Sequence, residues 1–368
     1  MEYILSEYDT ILVNEVKALG GFYNAHAHLD RCNTLNRKYL NTVGIDPIEG
    51  ASLSLKVKQN LTGELHKGGA YTREDLKQRI KKSLESQSRM LTTRVDTMVD
   101  CTPDLLENGL LAVNVALELK KELKNKISIR VGAHPIFGFK ENTGRWEVYK
   151  EAAKKCDFLG GLPERDEPIT RGRIGFKQHL KRVLMLGQDL HKEVQVHVDQ
   201  NNDPGESQTE TLIQAVEWIG APDIDGTNVP TVWAIHSISP ACFSEKRFSR
   251  MVDGLLKNNI GIICCPSAAL SMRQLRPQNV PTHNSICRLI ELAEAGVSIR
   301  LASDNVCDVF IPSCDGCMLT EVKVLSNAIR FYIVGILSKL ACGKELNRMD
   351  REILKRSLAA DQEIFKTL

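Results

Sequence analysis

Gly20-Gly21-Phe22-Tyr23-Asn24-Ala25-His26-Ala27-His28-Leu29-Asp30-Arg31-Cys32 is the stretch whose reading decides how this chain folds. The two glycines interrupt whatever precedes them, and Phe22-Tyr23-Asn24-Ala25 reads as a short buried strand that His26 and His28 close. Side chains alternate along a strand, so residues two apart share a face. Both imidazoles therefore leave one face at one strand end, with Ala25 and Ala27 turned the other way. Two neutral imidazoles held side by side make half a site for zinc or ferrous iron. A lone pair of this kind can also be an accident of a half-exposed strand. Its weight depends on where the other histidines and one aspartate fall.

With 368 residues, 42% hydrophobic and 26% charged, the chain can build one large α/β domain or two ordinary ones. A net charge of +2 gives no support for nucleic acid or an anionic membrane as partner. No apolar run approaches the roughly 20 residues that span a bilayer. The opening MEYILSEYDT lacks the basic and apolar regions of a secretion signal. Eleven cysteines, odd in number and scattered, with Cys264 and Cys265 inside an apolar run, suit reduced thiols in the cytoplasm. The expected partner is a small molecule; a homo-oligomer is left open.

Residues 1–20 read as an N-terminal helical extension and 21–368 as one barrel domain. The segment 33–70 is too long for a loop and carries Leu55, Val57 and Leu61 at near-helical spacing, which suggests a partly helical lid or flank. Thr72 then opens a helix, with Glu74 and Asp75 in its first turn and Leu76, Ile80 and Leu84 on one face. From there apolar runs rich in β-branched residues (91–97, 127–133, 158–162, 194–198, 229–235, 261–265, 297–302) alternate with helix-like stretches (104–125, 173–191, 210–219, 245–258, 285–295). With 22–25 this gives eight strands, each followed by helical sequence, the pattern of a parallel (β/α)8 TIM barrel. No glycine-rich phosphate loop follows the first strand, which argues against a nucleotide-binding doubly wound sheet.

A (β/α)8 barrel carries its chemistry at the C-terminal ends of its strands. Those ends read His26 and His28, then Arg94-Val95-Asp96, then His134, then Gly160-Gly161-Leu162-Pro163-Glu164. They continue with His197-Val198-Asp199-Gln200, His236, and Ser303-Asp304-Asn305. Packing alone does not account for so many imidazoles and a terminal aspartate at strand ends, because buried polar groups need partners. His66, His179, His191 and His283 fall in loops or helices, where solvated or capping roles are expected.

This set of strand-end residues resembles the amidohydrolase superfamily, and within it the cytosine deaminase group. The similar stretches run from Asn24-Ala25-His26-Ala27-His28-Leu29-Asp30 through Thr93-Arg94-Val95-Asp96, Phe158-Leu159-Gly160-Gly161-Leu162-Pro163, His197-Val198-Asp199 and His236-Ser237. They end with Ser303-Asp304-Asn305-Val306-Cys307-Asp308, Pro312, Gly316, Met318 and Leu319, so the resemblance covers roughly 22–325. It implies that His26, His28, His197 and Asp304 bind a divalent metal ion, zinc with ferrous iron as the alternative. It also implies that His236 contacts the metal-bound water or the substrate. Three nitrogens, a carboxylate and an open position would polarise that water toward hydroxide. Where binuclear members carry a modified lysine on strand 4, this chain has glycine and proline, which favours a single metal.

Three departures shape the reading. The group has a proton-shuttling glutamate three residues after the strand-5 histidine; here stands Gln200, which cannot exchange a proton. Asp304, helped by His236, then has to manage the proton. Cytosine deaminases place a pyrimidine-reading glutamine where this chain has Ile136, so cytosine is not the expected substrate. The accessory β-sandwich of the group is not expected, leaving the barrel alone as in adenosine deaminases.

Other signals are weaker. Cys314-Asp315-Gly316-Cys317 lacks a second pair and reads as incidental. Arg94 and Asp96 are equally a substrate-carboxylate site with its orienting partner or a structural ion pair. His134 lines the pocket rather than binding metal, and Asn305 joins it as a substrate contact. Glu206 is an exposed loop acid, and Asp199 orients Gln200 or His236. The expectation is a hydrolase of a carbon–nitrogen bond in a small cyclic or heteroaromatic substrate, with metal-bound hydroxide as nucleophile. Asp304 would serve as its base, His236 as oxyanion stabiliser and Gln200 as positioning amide. It could act by deamination, by opening a cyclic amide or by releasing an amine from a substituted ring. The alternative from another class is a catalytically weakened metal-binding or ligand-sensing barrel.

Overall fold

The computed structural model describes residues 6–41, 44–167, 172–272 and 285–367; His283, assigned to a loop above, lies outside them. Eight strands form one sheet: β1 Phe22–Ala27, β2 Thr92–Asp100, β3 Ser128–His134, β4 Phe158–Gly161, β5 Val194–Val198, β6 Val232–His236, β7 Ile260–Cys264 and β8 Ile299–Leu301. They are ordered 1 to 8, each parallel to the next. The ring closes just past β8, where Ala27 bridges Asp304. The His28 N–H donates to the Asp304 carbonyl (3.2 Å) and the Asp304 N–H to that of His26 (3.0 Å). The fold is the (β/α)8 barrel that the alternation of runs predicts.

Two cores hold it. The larger lies between strands and helices; the smaller fills the barrel with Tyr23, Met98, Phe158, Trp233, Ile235 and Ile263 among others. Glycine makes room for two of these rings. A Cβ at Gly132 would sit 2.3 Å from the Phe158 ring, and one at Gly261 2.4 Å from Trp233. Both strands are thus thinned where an aromatic ring plugs the barrel.

Ser6 and Asp9 form a capping box that starts the helix Glu7–Ala18, which packs on the helix Val334–Ala341. Thr72 caps the helix Arg73–Arg89 by accepting the Asp75 N–H. The segment 33–70 contains short helices at Arg37–Leu40 and Pro47–Ala51, then the helix Leu55–Lys67. All strands among the described residues belong to the one sheet. No helix among the described residues is long and apolar enough to cross a membrane.

One boundary needs correcting. Strand β2 does not end at Asp96 but runs on to Asp100, which pairs with His134 at the end of β3, whereas Arg94 pairs with Ser128 at its start. Arg94 and Asp96 therefore sit toward the opposite end of the barrel from the histidines. Asp96 accepts hydrogen bonds from Tyr23 Oη (2.8 Å) and Arg130 (2.7 Å), while the Arg94 guanidinium lies 4.0 Å above the Tyr23 ring. The structural ion-pair reading holds for Asp96, with Arg130 rather than Arg94 as its partner.

Candidate metal centre and active site

Strands β1, β5 and the turn after β8 bring His26, His28, His197 and Asp304 to one point, all four buried, with their ligating atoms within 4.8 Å of one another. His26 Nε2 and His28 Nε2 each stand 3.5 Å from Asp304 Oδ1, and His28 Nε2 lies 3.4 Å from His197 Nε2. Donors about 2.1 Å from a shared tetrahedral cation are about 3.4 Å apart, so the spacing fits zinc or a similar ion. The polar accounting fits too. Both ring nitrogens of His26 and Nδ1 of His28 have no hydrogen-bond partner although they are buried.

The surroundings set protonation for ligation. His197 Nδ1 lies 3.1 Å from the Gly161 carbonyl; donating to it leaves Nε2 a lone pair. Burial, reinforced by Arg31 for His28 and by His26 for His197, holds both imidazoles well below their ordinary pKa and hence neutral. Burial pushes the Asp304 carboxyl up, but the adjacent His26 and His236 rings outweigh it and hold the group below the ordinary carboxylate value.

His236 stands beside the four, its Nε2 3.8 Å from Asp304 Oδ2, and burial lowers its pKa to about 4. Gln200 is buried with an amide nitrogen that has no partner. Both line a cavity together with His28, His134, His197 and Asp304. Ile136, Leu162 and Phe310 supply apolar wall, and Asn305 also lines it with its amide nitrogen tied to Asp308. Of the candidate site residues, Arg94 and Asp96 stand apart from this cluster.

Beside the histidines lies a buried network that is not evident from the sequence. Asp100 accepts from Arg31 Nη1 (2.9 and 3.1 Å), from Tyr71 Oη (3.3 Å), and contacts His66 Nε2 (3.0 Å) and His134 Nδ1 (2.9 Å). Burial raises the Asp100 carboxyl, yet Arg31 and the two histidines more than reverse this and hold it well below the carboxylate range. His66 is thus a buried partner of Asp100, not a solvated side chain. The available signal was Asp30-Arg31 directly after the histidine pair, a buried-looking charge pair with no partner nearby in sequence.

Two further expectations change. Asp199 accepts the backbone N–H groups of Gln208 (2.7 Å) and Thr209 (2.9 Å) and so caps the helix Gln208–Ile219 instead of orienting Gln200 or His236. His179 is buried: its Nδ1 contacts Asp166 at 2.7 Å and its Nε2 accepts the Leu162 N–H, which fixes one cavity wall. Cys314 and Cys317 are buried thiols without a metal-ligand grouping.

No family model matches the chain. It is 28% identical over 287 residues to an uncharacterized protein of Haemophilus influenzae, covering 78% of this chain and 95% of that one. It is 24% identical over 304 residues to an N-isopropylammelide isopropyl amidohydrolase of Pseudomonas sp. strain ADP, covering 81% of this chain and 66% of that one. Among solved structures, 5-methylcytosine deaminase from Klebsiella pneumoniae liganded with 5-fluorocytosine superposes with a TM-score of 0.71 at 21% identity, covering 92% of this chain and 82% of that one. The chain therefore resembles the amidohydrolase superfamily in fold as it does in its strand-end motifs.

Proposed function

We propose that this chain is a metal-dependent hydrolase of a carbon–nitrogen bond in a small cyclic or heteroaromatic substrate. The observation that carries this is the convergence of three imidazole nitrogens and one carboxylate at a buried point on the cavity wall, with His236 beside it. His26, His28, His197 and Asp304 would hold a divalent cation, zinc or ferrous iron, which would supply Lewis acidity to the site. The rest falls to the chain's own groups. Asp304 turns Oδ1 to His26 and His28 and Oδ2 toward His236, so its second oxygen is placed to take a proton from the attacking water and return it to the leaving nitrogen. His236, kept neutral by burial, has an N–H to offer the developing oxyanion. Gln200 holds the substrate by hydrogen bonds but moves no proton.

That single relay suits an exocyclic alkylamine or a strained ring amide better than a ring that must be protonated elsewhere first. The likeness to the relative named N-isopropylammelide isopropyl amidohydrolase supports this reading. The test is metal analysis of chelator-free protein together with ammonia and amine release from N-alkylated aminotriazines, ring amides and aminopyrimidines. One equivalent of transition metal and metal-dependent turnover of at least one alkylamine or ring amide are expected. Metal-free protein overturns the proposal. Metal-loaded protein that binds ring compounds without turning any over supports the ligand-sensing alternative instead.

A further inference from the structure

Outside the donor cluster, His134 and Gln200 each present to the cavity a polar atom with no partner in the protein. His134 is 1% exposed, and its Nε2 makes no hydrogen bond. Gln200 is 5% exposed, and its amide nitrogen makes none. The two come from different strands, β3 and the turn after β5, and line the same space. The His134 ring is fixed: its Nδ1 lies 2.9 Å from Asp100 Oδ1, and the Asp100 carboxylate is itself clamped by Arg31, His66 and Tyr71. An ionised carboxylate only accepts, so the ring hydrogen sits on Nδ1 and Nε2 keeps a lone pair. His134 is outside the convergent donor set, so its lone pair is left for a ligand. His134 and Gln200 thus place one acceptor and one donor in a cavity whose apolar wall is Ile136, Leu162 and Phe310.

We propose that His134, positioned by Asp100, determines specificity: its Nε2 accepts an N–H of the substrate ring while the Gln200 amide donates to the adjacent carbonyl. The preferred ring therefore carries an amide edge, N–H beside C=O. This rests on the hydrolase reading and names the part of the substrate that is recognised rather than the bond that is broken. A buried acceptor left unpaired is costly, so a ring whose nitrogen is methylated should be disfavoured by about tenfold or more. Asp100 is here a positioning residue. It also holds His66 on the helix Leu55–Lys67, so the helix above the cavity and the acceptor within it share one carboxylate.

The experiment is calorimetric titration of the protein, as purified with its metal, with uracil, cyanuric acid and lumazine, each against its N-methylated counterparts. At least one parent ring should bind, with methylation of its N–H weakening binding by about tenfold or more. His134→Phe, which keeps a ring but has no acceptor, should bind parent and methylated rings within about twofold. Asp100→Asn should reduce the discrimination while the metal content stays unchanged. If His134→Phe does not fold, His134→Gln, whose amide oxygen accepts, should keep the preference for the parent ring. Equal binding of parent and methylated rings by the unmodified protein overturns the proposal. So does discrimination that survives in His134→Phe, or a second equivalent of metal that His134→Phe loses. Amine release that persists while methylation has no effect defeats this proposal alone. Absence of both metal and amine release defeats the hydrolase reading with it.

Discussion

At His236 and Asp304 the backbone is bent to aim the side chain. Both adopt left-handed conformations, φ 76° and 63°, that branched or bulky residues avoid. Such conformations cost about 1–3 kcal/mol each and persist where the surroundings enforce them. The result is that the two side chains face each other at 3.8 Å instead of continuing along their strands. His236→Asn should therefore leave the metal content nearly unchanged while turnover falls about a hundredfold, the scale of losing one oxyanion donor; parallel metal analysis and steady-state kinetics check this. Loss of metal in that variant would make His236 a ligand. Gln200→Glu should harm the native reaction and open a weak deaminase activity on an aminopyrimidine, measured as ammonia release. If the unmodified protein deaminates such rings at ordinary enzymatic rates, Gln200 is not the discriminating residue.

Among the elements, the helix Leu55–Lys67 contributes to the walls of two adjoining cavities. The cavity over the donor cluster, of about 40 Å³, shares Leu55 and Gln59 with an outer cavity of about 1160 Å³. This helix is latched by Gln59 to Glu164 (2.6 Å) and by Arg165 to Gln59 (2.9 Å) and Asn60 (3.0 Å). Entry of a ring compound from the outer cavity is expected to require that latch to open. Arg165→Ala removes two of the three bonds and should speed both binding and release of ring ligands several-fold in stopped-flow measurements. Unchanged rates would show that entry lies elsewhere. A second element contact is pH-sensitive. Glu321, on the helix Met318–Ile329, accepts the Ser267 N–H at 2.9 Å, and burial raises its carboxyl from 4.5 to about 7. A raised carboxyl pKa means the protonated form favours the fold. That stability is present below about pH 4.5 and is lost as pH climbs through 7, by about 1.4 kcal/mol for each pH step of one between those values. Glu321→Gln should thus raise the Tm relative to the unmodified protein at pH 8 and much less at pH 5. An equal change at both values would refute the assignment.

For the whole molecule, the donors come from opposite parts of one ring: His26 and His28 from β1, His197 from β5, and Asp304 from the turn where β8 closes onto β1. A bound cation therefore joins the closing seam to the far wall, and binding to the folded state alone adds stability by mass action. Removing metal with a chelator should lower the Tm by several degrees. It should also raise amide exchange at His28 and Asp304, whose N–H groups donate the hydrogen bonds of the seam. Exchange that rises uniformly around the barrel, with the seam unaffected, would contradict this.

The barrel and the residues that end its strands were legible because both depend on short-range order, whereas the donor set was implied by the resemblance to the amidohydrolase superfamily. Strand alternation puts His26 and His28 on one face, and eight apolar runs separated by helices leave few other architectures. His197, His236 and Asp304 each end a run that the sequence marks by itself. Asp100 was hidden for the same reason: β2 extends over nine residues, and the polar end of Thr97-Met98-Val99-Asp100 reads as a loop when no neighbour is in view. His66 looked solvated because its partner is 34 residues away, and the Asp100–Arg31 bond spans 69. Sequence alone thus determined the repeating units and which residues end them. Tertiary structure decided which of those ends meet, which imidazole keeps its lone pair for a ligand, and how tightly a helix from another segment closes the space above them. Those outcomes depend on the curvature of the closed ring, which brings strands distant in sequence within hydrogen-bond reach.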